Sequence, residues 1–193
     1  MTRKTQRQPD GGFSLIDMIV TMTLIAIAAG MAIPYMRDMT DAMRLAQGAR
    51  EVERELQTAR LKAVTSNRVL RVRFNCPAAG QYRTVELIGT PAVPAPADDA
   101  NNRCSPGVYP YPAPDADLMT LPNHDGPVRY LHPSLSFGSV TTLEFRPGGT
   151  VHANTGAAGA WPQLSTSGTA ITVTKGSSTR SITVNGIGKI KLQ

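Results

Sequence analysis

The stretch Gly11-Gly12-Phe13-Ser14-Leu15-Ile16-Asp17 carries the most pointed chemistry in this 193-residue chain. Asp17 stands at the head of an apolar run, Met18 to Tyr35, interrupted only by threonines. As a helix such a run is roughly 27 Å long, enough to cross the hydrocarbon of a bilayer. A carboxylate there is driven to find a cation, or to reach water where it lies near the membrane surface. Catalytic chemistry has no comparable constellation. His124, His132 and His152 are scattered without metal-ligand spacing. Asp115 and Asp117 sit among prolines with no calcium-loop pattern around them. The run Pro147-Gly148-Gly149-Thr150 lacks the lysine of a phosphate-binding loop and reads as a β-turn. No serine or cysteine has the setting of a nucleophile. The residues imply a structural protein, not an enzyme, with no cofactor and no metal.

The order of the N-terminal features matters as much as their content. Arg3, Lys4 and Arg7 outweigh Asp10 before the apolar run, which places that end in the cytoplasm and the chain beyond Pro34 on the other side of the membrane. In a secretory signal the cleavage site follows the apolar region. Here the small pair Gly11-Gly12 precedes it, so a cut there would leave the anchor on the mature chain. Export would favour one disulfide between Cys76 and Cys104, whereas a reducing cytosol would leave two thiols.

The elements that must position these residues follow from periodicity. After Pro34, Ala42, Leu45, Ala49, Val52, Leu56, Ala59 and Ala63 recur every three or four residues, one apolar stripe on an amphipathic helix. Asp41 with Arg44 and Glu51 with Arg54 pair at helical spacing on the other face. Asn67 is a fitting left-handed cap, and Gly30 with Pro34 predicts a kink or local melting higher up. Strands are expected in Val69–Asn75 and Arg83–Gly89, joined as a hairpin, with Val72 and Phe74 inward and Arg71 and Arg73 on an exposed face. Nine of the fifteen prolines then fall between Pro91 and Pro127, a long excursion. Alternation resumes from Val128, with Leu143 and Phe145 on one face, a hairpin pairing Ile171 and Val173 with Ile182 and Val184, and a last strand through Ile190 and Leu192.

Charge is the remaining signal. The net charge is +6. From Val128 onward Arg129, Arg146, Lys175, Arg180, Lys189 and Lys191 face a single acid, Glu144. Two readings stand: Lys175, Arg180, Lys189 and Lys191 form a cationic surface able to hold a polyanion such as DNA, which Arg71 and Arg73 either extend or lie far from, or the last lysines are the solvent side of an edge strand.

The short basic leader, Gly-Phe and long apolar run resemble the cleavage region of type IV prepilins and type II secretion pseudopilins. The later residues Phe145, Pro147 and Gly149, then Ile182, Val184, Gly188 and Ile190, resemble the GspH/FimT group of minor pilins and pseudopilins. The resemblance implies an α+β, type IV pilin-like fold in which a long N-terminal helix packs on an antiparallel β-sheet head. It divides the chain into a cleaved leader (1–12), a transmembrane helix (13–36), its amphipathic continuation (37–67) and a head (68–193) with a Pro-rich loop (90–127). It implies cleavage between Gly12 and Phe13 by a prepilin peptidase, with N-methylation of Phe13. Asp17 then takes the fifth mature position, where the family usually has a glutamate paired with a neighbour's N-terminal amine, and Gly30 and Pro34 fall where it has helix-loosening residues. Implied partners are other pilins or pseudopilins, an inner-membrane assembly platform and the bacterial inner membrane, crossed once with the head in the periplasm. The implied function is that of a structural subunit in filament initiation, for secretion or pilus biogenesis. The alternative is DNA uptake through the Gly188, Lys189 and Lys191 tail, which is similar to a "GRxR"-type basic motif with lysine for arginine.

Overall fold

The computed structural model describes residues 14–111, 124–154 and 161–193. Its contacts divide the chain into two compact units, Met1–Asp41 and Ala42–Gln193. A helix, α1, is assigned over Leu15–Ser66. It stays helical through Gly30 and Pro34, so of the kink or local melting expected there the melting does not occur, although proline's missing N–H removes one bond from the ladder. Asn67 follows at φ 52°, the left-handed stop expected from its type.

In the second unit the head forms where the stripe on α1 meets two antiparallel sheets. Leu45, Ala49, Val52, Leu56, Ala59 and Ala63 are all buried, while Ala42, expected to begin the stripe, is exposed. Gly48 belongs to the buried face as well, because a Cβ on it would sit 2.5 Å from Leu135 Cδ1. The first sheet has the order β3-β2-β1-β5-β6, with β1 Leu70–Phe74, β2 Gln81–Glu86, β3 Arg129–Tyr130, β5 Leu143–Phe145 and β6 Val151–Ala153. The second has the order β4-β7-β8-β9, with β4 Ser136–Phe137, β7 Thr169–Lys175, β8 Ser178–Val184 and β9 Ile190–Leu192. The expected strands are therefore present, split into two sheets where one was expected.

One core joins them. Leu70, Val72, Leu143, Phe145 and Val151 of the first sheet and Ile171, Val173, Ile182 and Val184 of the second are fully buried with the helix stripe. Phe137 of the second sheet meets Phe74 and Tyr82 of the first edge-on, at 5.1 and 5.7 Å between ring centroids. Burying a Leu, Ile, Val or Phe contributes about 1.5–3 kcal/mol each. Aliphatic residues therefore suffice despite the sparse aromatics.

The other face of the first sheet overturns an expectation. Arg71 and Arg73 do not extend an exposed basic surface. Arg71 is 1% exposed and Arg73 half-buried, because the Pro-rich loop lies over them. Arg71 bonds Glu144 and Asp99, each at 3.0 Å, and stacks on the Trp161 ring. Arg73 donates to the carbonyl of Ala100 at 2.8 Å. Arg83 donates to the carbonyls of Gly126 and Tyr109, both at 2.7 Å. Arg103, from the loop, forks onto Asp125 and also donates to Glu86 O. Burial lowers the pKa of Arg73 and Arg83, opposed by neighbouring acids and furthered by nearby Arg103, yet an arginine stays charged throughout.

The loop is pinned elsewhere too. A short 3₁₀ turn, Pro96–Asp98, buries Asp98, whose carboxylate accepts from the amides of Ile88, Gly89 and Ala95. Cys76 and Cys104 are joined by a disulfide, Cα–Cα 5.5 Å, which ties the β1–β2 turn to the loop. Near the loop's far end, His124 bonds the buried Glu86 carboxylate at 3.1 Å, and Lys62 of α1 donates to His124 O.

Candidate assembly and binding surfaces

Gly12 and Phe13 lie outside the described residues, as do Asp115, Asp117 and the side chain of Pro34. Asp17 lies in the first turn of α1, exposed among Leu15, Ile16, Met18 and Ile19. A carboxylate at that end of a helix gains about 0.3–1 kcal/mol from the unpaired amides there. The apolar run is exposed along its length, and by length and composition it suffices to cross a membrane. Its threonines do not spoil that character. Thr21 donates to Asp17 O and Thr23 to Ile19 O, so each hydroxyl is satisfied within the helix. Gly30 has nothing within 4 Å of where its Cβ would stand, so no contact described for this chain requires glycine there.

The basic residues of the second sheet are sorted by the pleat. Thr183 opposes Lys191 and Ile182 opposes Leu192, so Lys191 lies on the outer face of β9 while Leu192 turns toward the core. Lys189 and Lys191, both exposed, share a depression of about 190 Å³ with Thr166, Ser167, Thr183, Asn185 and Gln193. Arg180 opposes Val173, a core-facing residue, and Lys175 has the same parity as Val173 along β7. Both sit by the β7–β8 turn, and Lys175 donates to Ser134 Oγ at 3.3 Å. The fold thus brings Lys189 and Lys191 together and directs Arg180 and Lys175 to the opposite face.

The glycines of the C-terminal motif have a purpose that spacing alone does not disclose. Gly149 and Gly188 both adopt positive φ, 78° and 80°. Arg60 of α1 reaches between their turns, donating to Gly149 O at 3.4 Å and Ile187 O at 3.3 Å. A Cβ on Gly188 would stand 2.1 Å from Arg60 Nε. In the sequence Arg60 reads as one more charge on a polar helix face. Replacing Gly188 by alanine combines a strained backbone with displacement of that guanidinium, and should cost roughly 1–3 kcal/mol. A thermal melt within about 1 °C of wild type would show that Arg60 does not hold these turns.

A family model described as "Type II transport protein GspH" matches residues 48–188. Two solved structures resemble the chain at 13% sequence identity. The minor pseudopilin EpsH from the type 2 secretion system of Vibrio cholerae has a TM-score of 0.44, over 78% of this chain and 96% of that one. The type IV minor pilin FimU of Pseudomonas aeruginosa has a TM-score of 0.46, over 80% of this chain and 92% of that one. No curated protein matches the sequence.

Proposed function

Because the chain belongs to the GspH family of type II transport proteins, we propose that it is a minor pilin or pseudopilin, matured by cleavage between Gly12 and Phe13 and built into a filament through its N-terminal helix. The observation that carries this reading is α1 itself. From Leu15 to Tyr35 it exposes an apolar surface interrupted only by threonines, with one carboxylate, Asp17, in the first turn. Such a surface is stable only in lipid or against other apolar helices, and a carboxylate drawn away from water among those helices needs a cation. In the mature subunit the amine of Phe13 in a neighbour would supply it, setting the register of one subunit against the next. The head lies in the periplasm, where the Cys76–Cys104 bond is chemically stable.

A set of three variants tests the proposal, read by leader removal and by cross-linking into the filament. Gly12→Ala should leave the leader attached. Asp17→Ala should mature normally yet enter the filament at least tenfold less, while Asp17→Glu should match or exceed wild type. Normal maturation of the glycine variant would sink the processing step, and equal incorporation of Asp17→Ala would sink the pairing.

A second reading, DNA capture for uptake, is favoured by Lys189 and Lys191 sharing one exposed face. On the physics of counterion release its affinity would fall steeply with salt and would depend on those two lysines.

A further inference from the structure

We propose that the open edge of β9, with the groove between it and α1, binds an extended acidic strand of another polypeptide as an added β-strand. The strand edge is the first observation. β9 is an outer strand of the second sheet. Ser181 and Gln193 exchange both backbone bonds, and Asn185 N donates to Lys189 O. In an antiparallel ladder these inward pairs alternate with residues whose amides and carbonyls point away, here Ile190 and Leu192. Each therefore offers a donor and an acceptor to an incoming chain. No proline or bulge blocks the strand.

The groove is the second. About 510 Å³ of space lies beside this edge, lined by Gln57, Arg60, Leu61 and Val64 of α1 and by Gly188, Lys189 and Ile190. Gln57, Leu61 and Val64 fall at positions i, i+4 and i+7 and so form one stripe, separate from the buried one. Leu61 is 64% and Val64 45% exposed. An apolar pair alongside unpaired backbone groups is what strand addition uses: main-chain bonds supply affinity, and alternate side chains supply choice.

Charge then selects the occupant. Among the described residues Arg60, Lys189 and Lys191 have no ion-pair partner, and Glu144, the one acid after Val128, is buried against Arg71. On an added strand, residues opposite Ile190 and Leu192 would face the Leu61–Val64 side, and those opposite Lys191 would face the outer, cationic side. The favoured sequence alternates apolar and acidic residues. Edge lysines ordinarily discourage pairing. Here they would admit a strand that neutralises them and reject neutral or basic ones. Duplex DNA could use the lysines but neither the open amides nor Leu61 and Val64.

The test uses the full chain in detergent micelles and a short, end-blocked, labelled peptide alternating valine and glutamate. Binding is read by fluorescence anisotropy and by amide hydrogen exchange. The peptide should bind saturably and slow exchange at Ile190 and Leu192. Methylating its backbone nitrogens on the pairing edge, replacing its glutamates by lysines, or the change Lys191→Glu should each weaken binding at least tenfold. Leu61→Asp should do the same. Equal binding of the N-methylated peptide, or unchanged exchange at β9, would reduce the effect to ion exchange and overturn the proposal. So would a DNA duplex that binds through Lys189 and Lys191 while the peptide does not bind.

Discussion

Replacing Arg103 by alanine should lower the stability of the head by about 3–5 kcal/mol, the largest single-residue effect expected in this chain. The reason is the partner it would abandon. Asp125 is fully buried, and Arg103 forks onto both of its oxygens. The nearest other cation, Arg83, comes only to 3.9 Å, and the remaining partner is the amide of Glu86. Without Arg103 the buried carboxylate keeps only the more distant Arg83 and one amide, so the loop that carries it is driven to open toward water. Arg103 also donates to Glu86 O and stacks on Tyr109, contacts that alanine removes at the same time. Lysine keeps the charge but not the fork, so Arg103→Lys should fall between wild type and alanine. Chemical denaturation of the three proteins settles the point. A midpoint shift for alanine equivalent to less than about 1 kcal/mol would mean that the ion pair does not hold the loop to the sheet.

Removing the disulfide should come next, with a loss of about 3–4 kcal/mol, estimated from closing a loop of 28 residues. The bond joins the β1–β2 turn to a segment that holds few apolar residues of its own. Cys76, Cys104 and Val85 make only a small satellite of buried side chains. The loop therefore depends on the disulfide and on polar anchors, among them the Arg103–Asp125 fork, the Asp98 cradle and the bonds from Arg71, Arg73 and Arg83, and losing one raises the load on the others. Cys76→Ser with Cys104→Ser, or reduction of wild type, should lower the melting temperature by roughly 10 °C and admit protease between residues 90 and 111. The main core, which contains neither cysteine, should keep its far-UV signature. A melting temperature insensitive to reductant would assign the loop to its ion pairs alone.

These two effects concern the region that reads least clearly in the chain. The helix stripe and the strand alternations follow from period alone, since a residue's face is set by local geometry. Leu45, Val52 and Leu56 on α1, and Ile171, Val173, Ile182 and Val184 on the hairpin, lie where their spacing puts them. The glycines that resemble the family's motif were legible as turn residues, but Arg60, which makes them necessary, lies 89 positions from Gly149. No local pattern could have joined the two.

What the sequence by itself determined is whatever depends on near neighbours along the chain: the apolar span, the odd placement of Asp17, the amphipathic stripe, the strand pairs and the family to which they point. The tertiary structure alone decided what lies over the second face of the first sheet. Arg71, Arg73 and Arg83 alternate as solvent-facing arginines do, and only the return of a loop carrying Asp99, Arg103 and Asp125 buries Arg71 and Arg83 and half-buries Arg73. It also decided which cations share a face, joining Lys189 to Lys191 and turning Arg180 away. Burial is a property of what comes back to cover a residue. Alternation reports only the direction in which the residue points.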